Sequence, residues 1–307
     1  MSLVIVGSVA FDAIETPFGK REKIIGGAGS YIALSATYFS KKTNLISVVG
    51  EDFDEDYLKM LTEKNIDISG IETIKGQKSF FWSGVYNTDM NQRETITTEL
   101  NALEYFDPKV PEKYQDAEFL MLGNLSPDVQ LKVLERLHKR PKFIALDTMN
   151  FWMNKALDDL MKVIAEIDTI IINDEEARQL SGEYSLVKAA QKIQKMGPDY
   201  VIIKKGEHGA LLFGEGEIFS APALPLAQVY DPTGAGDCFA GGFIGYLTKA
   251  DTISFETMKC AVIAGSVMAS FNVQEFGTEK IQRLSKDDIQ TRINRFFKLS
   301  NFKKLKF

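Results

Sequence analysis

Short stretches crowded with Val, Ile, Leu and Phe recur at Leu3–Gly7, Leu45–Gly50, Phe119–Gly123, Phe143–Asp147, Thr169–Asn173 and Tyr200–Lys204. Runs this brief and this continuously apolar predict strands buried on both faces, as in a mostly parallel sheet. Between them, Tyr31–Ser40, Asp54–Lys64, Pro127–Lys139, Lys155–Glu166, Leu186–Met196, Cys238–Lys249 and Phe255–Phe271 space their apolar residues as helices do. The alternation predicts a three-layer α/β/α architecture.

Two segments break the pattern. Residues 11–25 and 78–99 alternate polar and apolar positions around the turn-like Pro17-Phe18-Gly19 and Asn87–Asn91, which predicts hairpins exposed on one face. A lone hairpin is marginally stable, so the two are expected to pair into a small sheet over one edge of the body, a candidate lid. Its open edge would also suit a homodimer. No repeat or long linker interrupts the rest, so residues 1–307 read as one domain with lid elements inserted.

An apolar share of 45% over 307 residues supports a substantial core. No stretch is apolar enough to span a bilayer, and Met1–Gly7 runs straight into a strand without a charged leader, so a cytoplasmic protein with no membrane partner is expected. Cys238 and Cys260 read as buried thiols, and His138 and His208 stand apart with no ligand-like neighbours, which does not support a zinc site. A net charge of -6 leaves no footprint for nucleic acid, and the basic run Phe302–Phe307 reads as a solvated end.

In an open parallel sheet, ligands gather beyond the carboxyl ends of the strands. Those ends carry Ser8 and Asp12, Gly123-Asn124, Asp147 and Asn150, Asn173 and Glu176, and Lys204-Lys205-Gly206. Strand ends must turn and helices need caps, so this gathering alone fits many proteins. Neither a glycine-rich dinucleotide fingerprint nor a P-loop is present. Asp231-Pro-Thr-Gly-Ala-Gly-Asp237 is more specific: a proline fixes the backbone, tiny residues follow, and a helix begins. Backbone N–H groups of Gly234, Ala235 and Gly236 at a helix N-terminus can cradle a phosphate. Asp237 can be no more than an N-cap, or it can take the proton of an attacking hydroxyl while the cradle stabilises the transferring phosphoryl. The helix field is expected to keep it ionised at neutral pH.

With these residues the chain resembles the PfkB-type carbohydrate kinases, the ribokinase-like family that includes ribokinase, fructokinase and adenosine kinase. The resemblance spans almost the whole chain and implies a ribokinase-like fold. Asp231–Asp237 resembles the family's C-terminal signature, implying Asp237 as base and Gly234, Ala235 and Gly236 as anion hole. Asn173-Asp-Glu-Glu176 is similar to the Asn-x-x-Glu motif that organises Mg²⁺, largely through water, around the nucleotide phosphates. Gly26-Gly27 resembles the di-glycine signature beside the acceptor pocket, with Asp12 where members hold substrate hydroxyls. Lys204-Lys205-Gly206 and Gly209 look like the nucleotide-side loop, and Asp147 with Asn150 like the polar strand end near the phosphates. Thr233 and Asp231 match positions that contribute to a monovalent-cation site in some members, so K⁺ activation is implied as an option. One position departs: Tyr31 stands where many sugar kinases have an asparagine that binds a sugar hydroxyl, and this aromatic can stack on a ligand ring or pack within its helix. The resemblance implies transfer of the γ-phosphoryl of ATP to a hydroxyl of a sugar or sugar-like substrate. A nucleoside is the alternative acceptor, favoured by Tyr31 and Phe80-Phe81-Trp82. A non-catalytic ligand sensor and a partner-binding protein on the same scaffold are the other readings.

Overall fold

In the computed structural model, which describes residues 1–301 and Lys303, the first apolar run is strand β1 (Ser2–Val6), buried from Leu3 onward. The rest of the basic run Phe302–Phe307 lies outside the described residues. After β1 the chain makes the hairpin β2 (Ala10–Thr16) and β3 (Gly19–Gly26), and helix α1 (Ala28–Thr37) returns it to β4 (Lys42–Gly50). Helix α2 (Glu55–Glu63) leads to β5 (Ile66–Ile74), followed by a second hairpin, β6 (Phe81–Tyr86) and β7 (Arg93–Glu99). The chain then steps outward through β8 (Phe119–Leu122), α3 (Pro127–Arg136), β9 (Phe143–Asp147), α4 (Asn150–Lys155), α5 (Leu157–Ala165) and β10 (Thr169–Asn173). Helices α6 (Asp174–Ser181) and α7 (Leu186–Gln194) precede β11 (Tyr200–Lys204), β12 (Ala210–Gly214) and β13 (Glu217–Ala221). Four helices finish the fold: α8 (Ala235–Leu247), α9 (Phe255–Asn272), α10 (Glu279–Gln282) and α11 (Lys286–Ser300).

The large sheet runs β13-β12-β11-β10-β9-β8-β1-β4-β5, parallel except for its antiparallel edge at β12 and β13. Helices α1, α8 and α9 cover one face, and α3, α5 and α7 cover the other, each over its own apolar core. All six predicted strands are present. Strands β5, β12 and β13 are additional; they lie toward the edges of the sheet. The stretch 155–166 is broken at Ala156, whose extended φ of -147° ends α4 before α5 starts.

Helix α8 lies between α1 and α9 because glycines let it. A side chain on Gly241 or Gly245 would strike the α1 backbone at Ile32 or Ala36, and one on Gly242 would meet the carbonyl of Ala264 on α9 at 2.6 Å. This close packing holds the start of α8 rigidly at the carboxyl ends of the strands.

The two hairpins form one sheet, β3-β2-β6-β7, joined by parallel pairing of β2 with β6. It does not cover an edge of the body, as the sequence reading expected. The Thr233 hydroxyl donates to Tyr86 Oη at 3.2 Å, Phe18 packs on Tyr230, and the Asn91 side chain rests on Gly206. These contacts place the small sheet over the carboxyl-end loops, because β2 and β6 both leave the body at that end. Among the described residues, no helix is long and apolar enough to cross a membrane.

Candidate active site

The loop before α8 is fixed by its own acid. Asp231 is fully buried; one carboxyl oxygen accepts the Thr233 N–H at 2.8 Å and the other the Gly277 N–H at 2.9 Å. Asn272 on α9 donates to the Thr233 carbonyl at 2.7 Å. Gly234 is the helix N-cap with φ 74°, a left-handed conformation, and Ala235, Gly236 and Asp237 make the first turn. A Cβ on Gly234 would stand 2.5 Å from the ring of Tyr31. Tyr31, only 1% exposed, therefore packs beneath the cradle and offers no face for a ligand ring to stack on.

The helix starts earlier than Cys238, so Asp237 is not its N-cap. Among the described residues the Asp237 carboxyl takes no hydrogen bond beyond that of its own backbone N–H, which leaves acceptor capacity for other work. Nor does the helix field decide its charge. Burial, then the neighbouring Asp147, push the Asp237 carboxyl up to about 7, against the opposing pull of Lys204 and Arg93. A carboxyl poised there is well matched to accepting a proton near neutrality.

Lys204 ends β11 directly opposite Asn173 of β10, and its ammonium donates to Asp147 at 2.9 Å. Burial opposes that charge, but Asp147 and Glu176 outweigh it and hold the Lys204 pKa above its ordinary value. Asn173 and Glu176 cap helix α6 reciprocally: the Glu176 N–H donates to Asn173 Oδ1 at 2.8 Å, and the Asn173 N–H to Glu176 Oε2 at 2.7 Å. Burial and Asp147 raise the Glu176 carboxyl to about 7, a tension that a cation nearby would relieve.

On the lid side, Asp12 of β2 is 4% exposed and lies over Gly26, where any side chain would collide with its carboxylate. Gly27, with φ 87°, turns the chain so that Gly29 N–H reaches the Ser8 carbonyl at 2.8 Å and Ala28 N–H reaches the Ser8 hydroxyl at 3.1 Å. Burial, reinforced by Asp231 and Asp237, pushes Asp12 up to about 8 despite the Gly27 N–H and Arg93. The Lys205–Gly209 loop closes through Lys205 N–H to the Gly209 carbonyl at 2.7 Å, with Gly206 at φ 53° and Gly209 at φ 86°. Gly209 is buried under Ala221–Ala223 and shapes the loop; Gly206 is exposed beside Asn91 of the lid.

Arg93 on β7 was not singled out from sequence. Its charge lowers the pKa of Asp12, Glu176 and Asp237 alike, and it lies over the Trp82 ring at 5.6 Å. Nothing local marks it, because only the folding back of the lid brings it to these acids. The structure thus gathers Asp12, Gly26 and Gly27, the Gly234–Asp237 turn, Asn173 and Glu176 around one region, with Lys204 against Gly236 and the exposed Arg93 near enough for its charge to act on three of the acids. Among the described residues no three metal-ligating side chains cluster.

A nine-stranded sheet with an antiparallel edge and a second, four-stranded sheet over its carboxyl ends is the ribokinase-like α/β fold. Residues 2–283 match the pfkB family carbohydrate kinase domain, and the chain belongs to that family. It is therefore a phosphotransferase with an alcohol group as acceptor. It is 31% identical to a cytidine kinase of Thermococcus kodakarensis over 80% of this chain and 88% of that protein. Its fold matches a Burkholderia thailandensis nucleoside kinase solved with inosine (TM-score 0.78, 19% identity, 97% and 99% of the two chains). It also matches an E. coli protein named as a ribokinase II, solved with ATP and Mg²⁺ (TM-score 0.81, 20% identity, 96% and 99%).

Proposed function

We propose that this protein transfers the γ-phosphoryl of ATP to a hydroxyl of a nucleoside, with Asp237 as the base. The observation that carries the chemistry is the Asp237 carboxyl, engaged only by its own backbone N–H, in the first turn of a helix whose N-terminal residues are Ala235 and Gly236. The 31% identity to a cytidine kinase supports a nucleoside over a simple sugar.

In this reading Asp12, beside Gly26 and Gly27, holds the acceptor. Its hydroxyl oxygen bonds to the γ-phosphorus as the bond to the β–γ bridging oxygen breaks; the hydroxyl proton passes to Asp237, and ADP leaves with the bonding pair. The Ala235 N–H donates to the Pro232 carbonyl at 3.1 Å, so the N–H groups of Gly234 and Gly236 are the ones that face the charge developing on the phosphoryl oxygens. Arg93 brings a second cation from the lid, and Lys205 with Gly206 borders the nucleotide. Asn173 and Glu176 would organise Mg²⁺ through water, and the ion would neutralise phosphate charge. The lid excludes water, which otherwise competes as acceptor.

The test is ADP formation from ATP with cytidine, uridine, inosine, adenosine, ribose and fructose, using wild type and Asp237→Asn. At least one nucleoside should exceed both sugars in kcat/KM, and the variant should lose at least about a hundredfold in kcat while binding ATP normally. Turnover of sugars alone would refute the nucleoside assignment. A fully active Asp237→Asn enzyme would refute the base.

A further inference from the structure

Lys204 is a main-body cation set in the acid cluster of Asp147, Glu176 and Asp237. A Cβ built on Gly236 would lie 3.0 Å from its Nζ, so the ammonium sits directly against the phosphate cradle. An ammonium has three N–H donors. The described residues accept one, at Asp147, and the side chain keeps 19% exposure. The arrangement is a poor one for stability alone. A buried ion pair is at best weakly stabilising relative to apolar packing, and the residues just before Lys204 on β11, Val201–Ile203, are fully buried and apolar.

Resting on the assignment of ATP as donor, we propose that Lys204 is a catalytic residue that binds the terminal phosphoryl of ATP through its two free N–H groups while Asp147 holds the third. Asp147 then acts as a positioning residue: it fixes the ammonium beside the Gly236 amide and keeps it charged. Arg93 approaches the same group from the lid. The transferring phosphoryl is thus flanked by one cation that belongs to the rigid sheet and one that arrives with closure. Because the sheet-borne cation requires no movement, Lys204 contributes to binding ATP before the acceptor arrives, whereas Arg93 contributes once the lid is down.

The discriminating measurement is calorimetric binding of ATP and of ADP, without acceptor, to wild type and Lys204→Met, alongside kcat with the best acceptor. Contact with the terminal phosphoryl predicts that Lys204→Met weakens ATP by at least about tenfold and ADP by less than about threefold, and lowers kcat at least about a hundredfold. Equal loss for ATP and ADP, or an unchanged ratio, would mean a merely structural pair and would overturn the assignment. Should Lys204→Met not fold, Lys204→Arg, which preserves the pair with Asp147, is read in the same way. Its altered donor geometry should cut the preference for ATP over ADP by roughly threefold or more, and an unchanged preference overturns the assignment. Failure of wild type to use ATP with any acceptor is a separate result and would refute the kinase reading itself.

Discussion

Replacing Asp12 by Asn should make the ligand-free protein more stable at alkaline pH while destroying its activity. The carboxyl is 4% exposed, and its pKa stands near 8 when folded against 3.8 ordinarily. Between those values the folded state retains a proton that the unfolded state releases, so stability falls as pH rises. At about 1.36 kcal/mol per pH unit, the rise caps this loss at about 5 to 6 kcal/mol by pH 8. Sharing of the strain with Asp231 and Asp237, and local relaxation, bring the expected gain for Asn to about 2 to 3 kcal/mol. An asparagine carbonyl can still accept the Gly27 N–H, so no new orphan is created. Thermal melts of wild type and Asp12→Asn at about pH 5 and about pH 8, without ligands, provide the assay. At pH 8 the variant should melt roughly 5 °C higher, with little difference at pH 5, and acceptor kcat/KM should fall by at least about a hundredfold. A variant that melts at or below wild type at pH 8 would show that the Asp12 carboxyl is not held in a costly desolvated state.

Other expectations are as direct. The kcat/KM of wild type should fall as pH drops through about 7, because the active base is the ionised Asp237, and Arg93→Met should move that limb upward by removing an opposing cation. Gly234→Ala places a Cβ 2.5 Å from the Tyr31 ring at φ 74°, and should cost roughly 2 to 4 kcal/mol in a denaturant melt and most of the activity. Asn91→Gly removes the side chain that rests on Gly206; phosphate release from ATP in the absence of acceptor should rise several-fold as the lid loosens.

Much of this molecule was legible before folding. Strands β1, β8, β9, β10 and β11 announce themselves because burial on both faces demands unbroken apolar runs. β5 does not: at the sheet edge, Asp67, Ser69 and Glu72 interrupt its pattern, and β13 likewise carries Glu217 and Ser220. The Asp231–Asp237 turn was readable because its geometry is encoded locally by Pro232 and the glycines. By contrast, the reach of Arg93 and the high pKa of Asp237 depend on burial and on partners distant in sequence, Asp147 and Lys204, which no local spacing records. Tyr31 shows the same limit, since helix and substrate pocket were both open to it until Gly234 was seen resting on its ring.

The parallel pairing of β2 with β6 has a mechanical consequence. Asp12 and Arg93 ride on the same four-stranded plate as Asn91. In the proposed reaction, one hinge movement therefore withdraws the acceptor's anchor and a phosphoryl-facing cation together. The gate that admits the acceptor is also the arming step, so an open enzyme that has already taken up ATP is safe to wait.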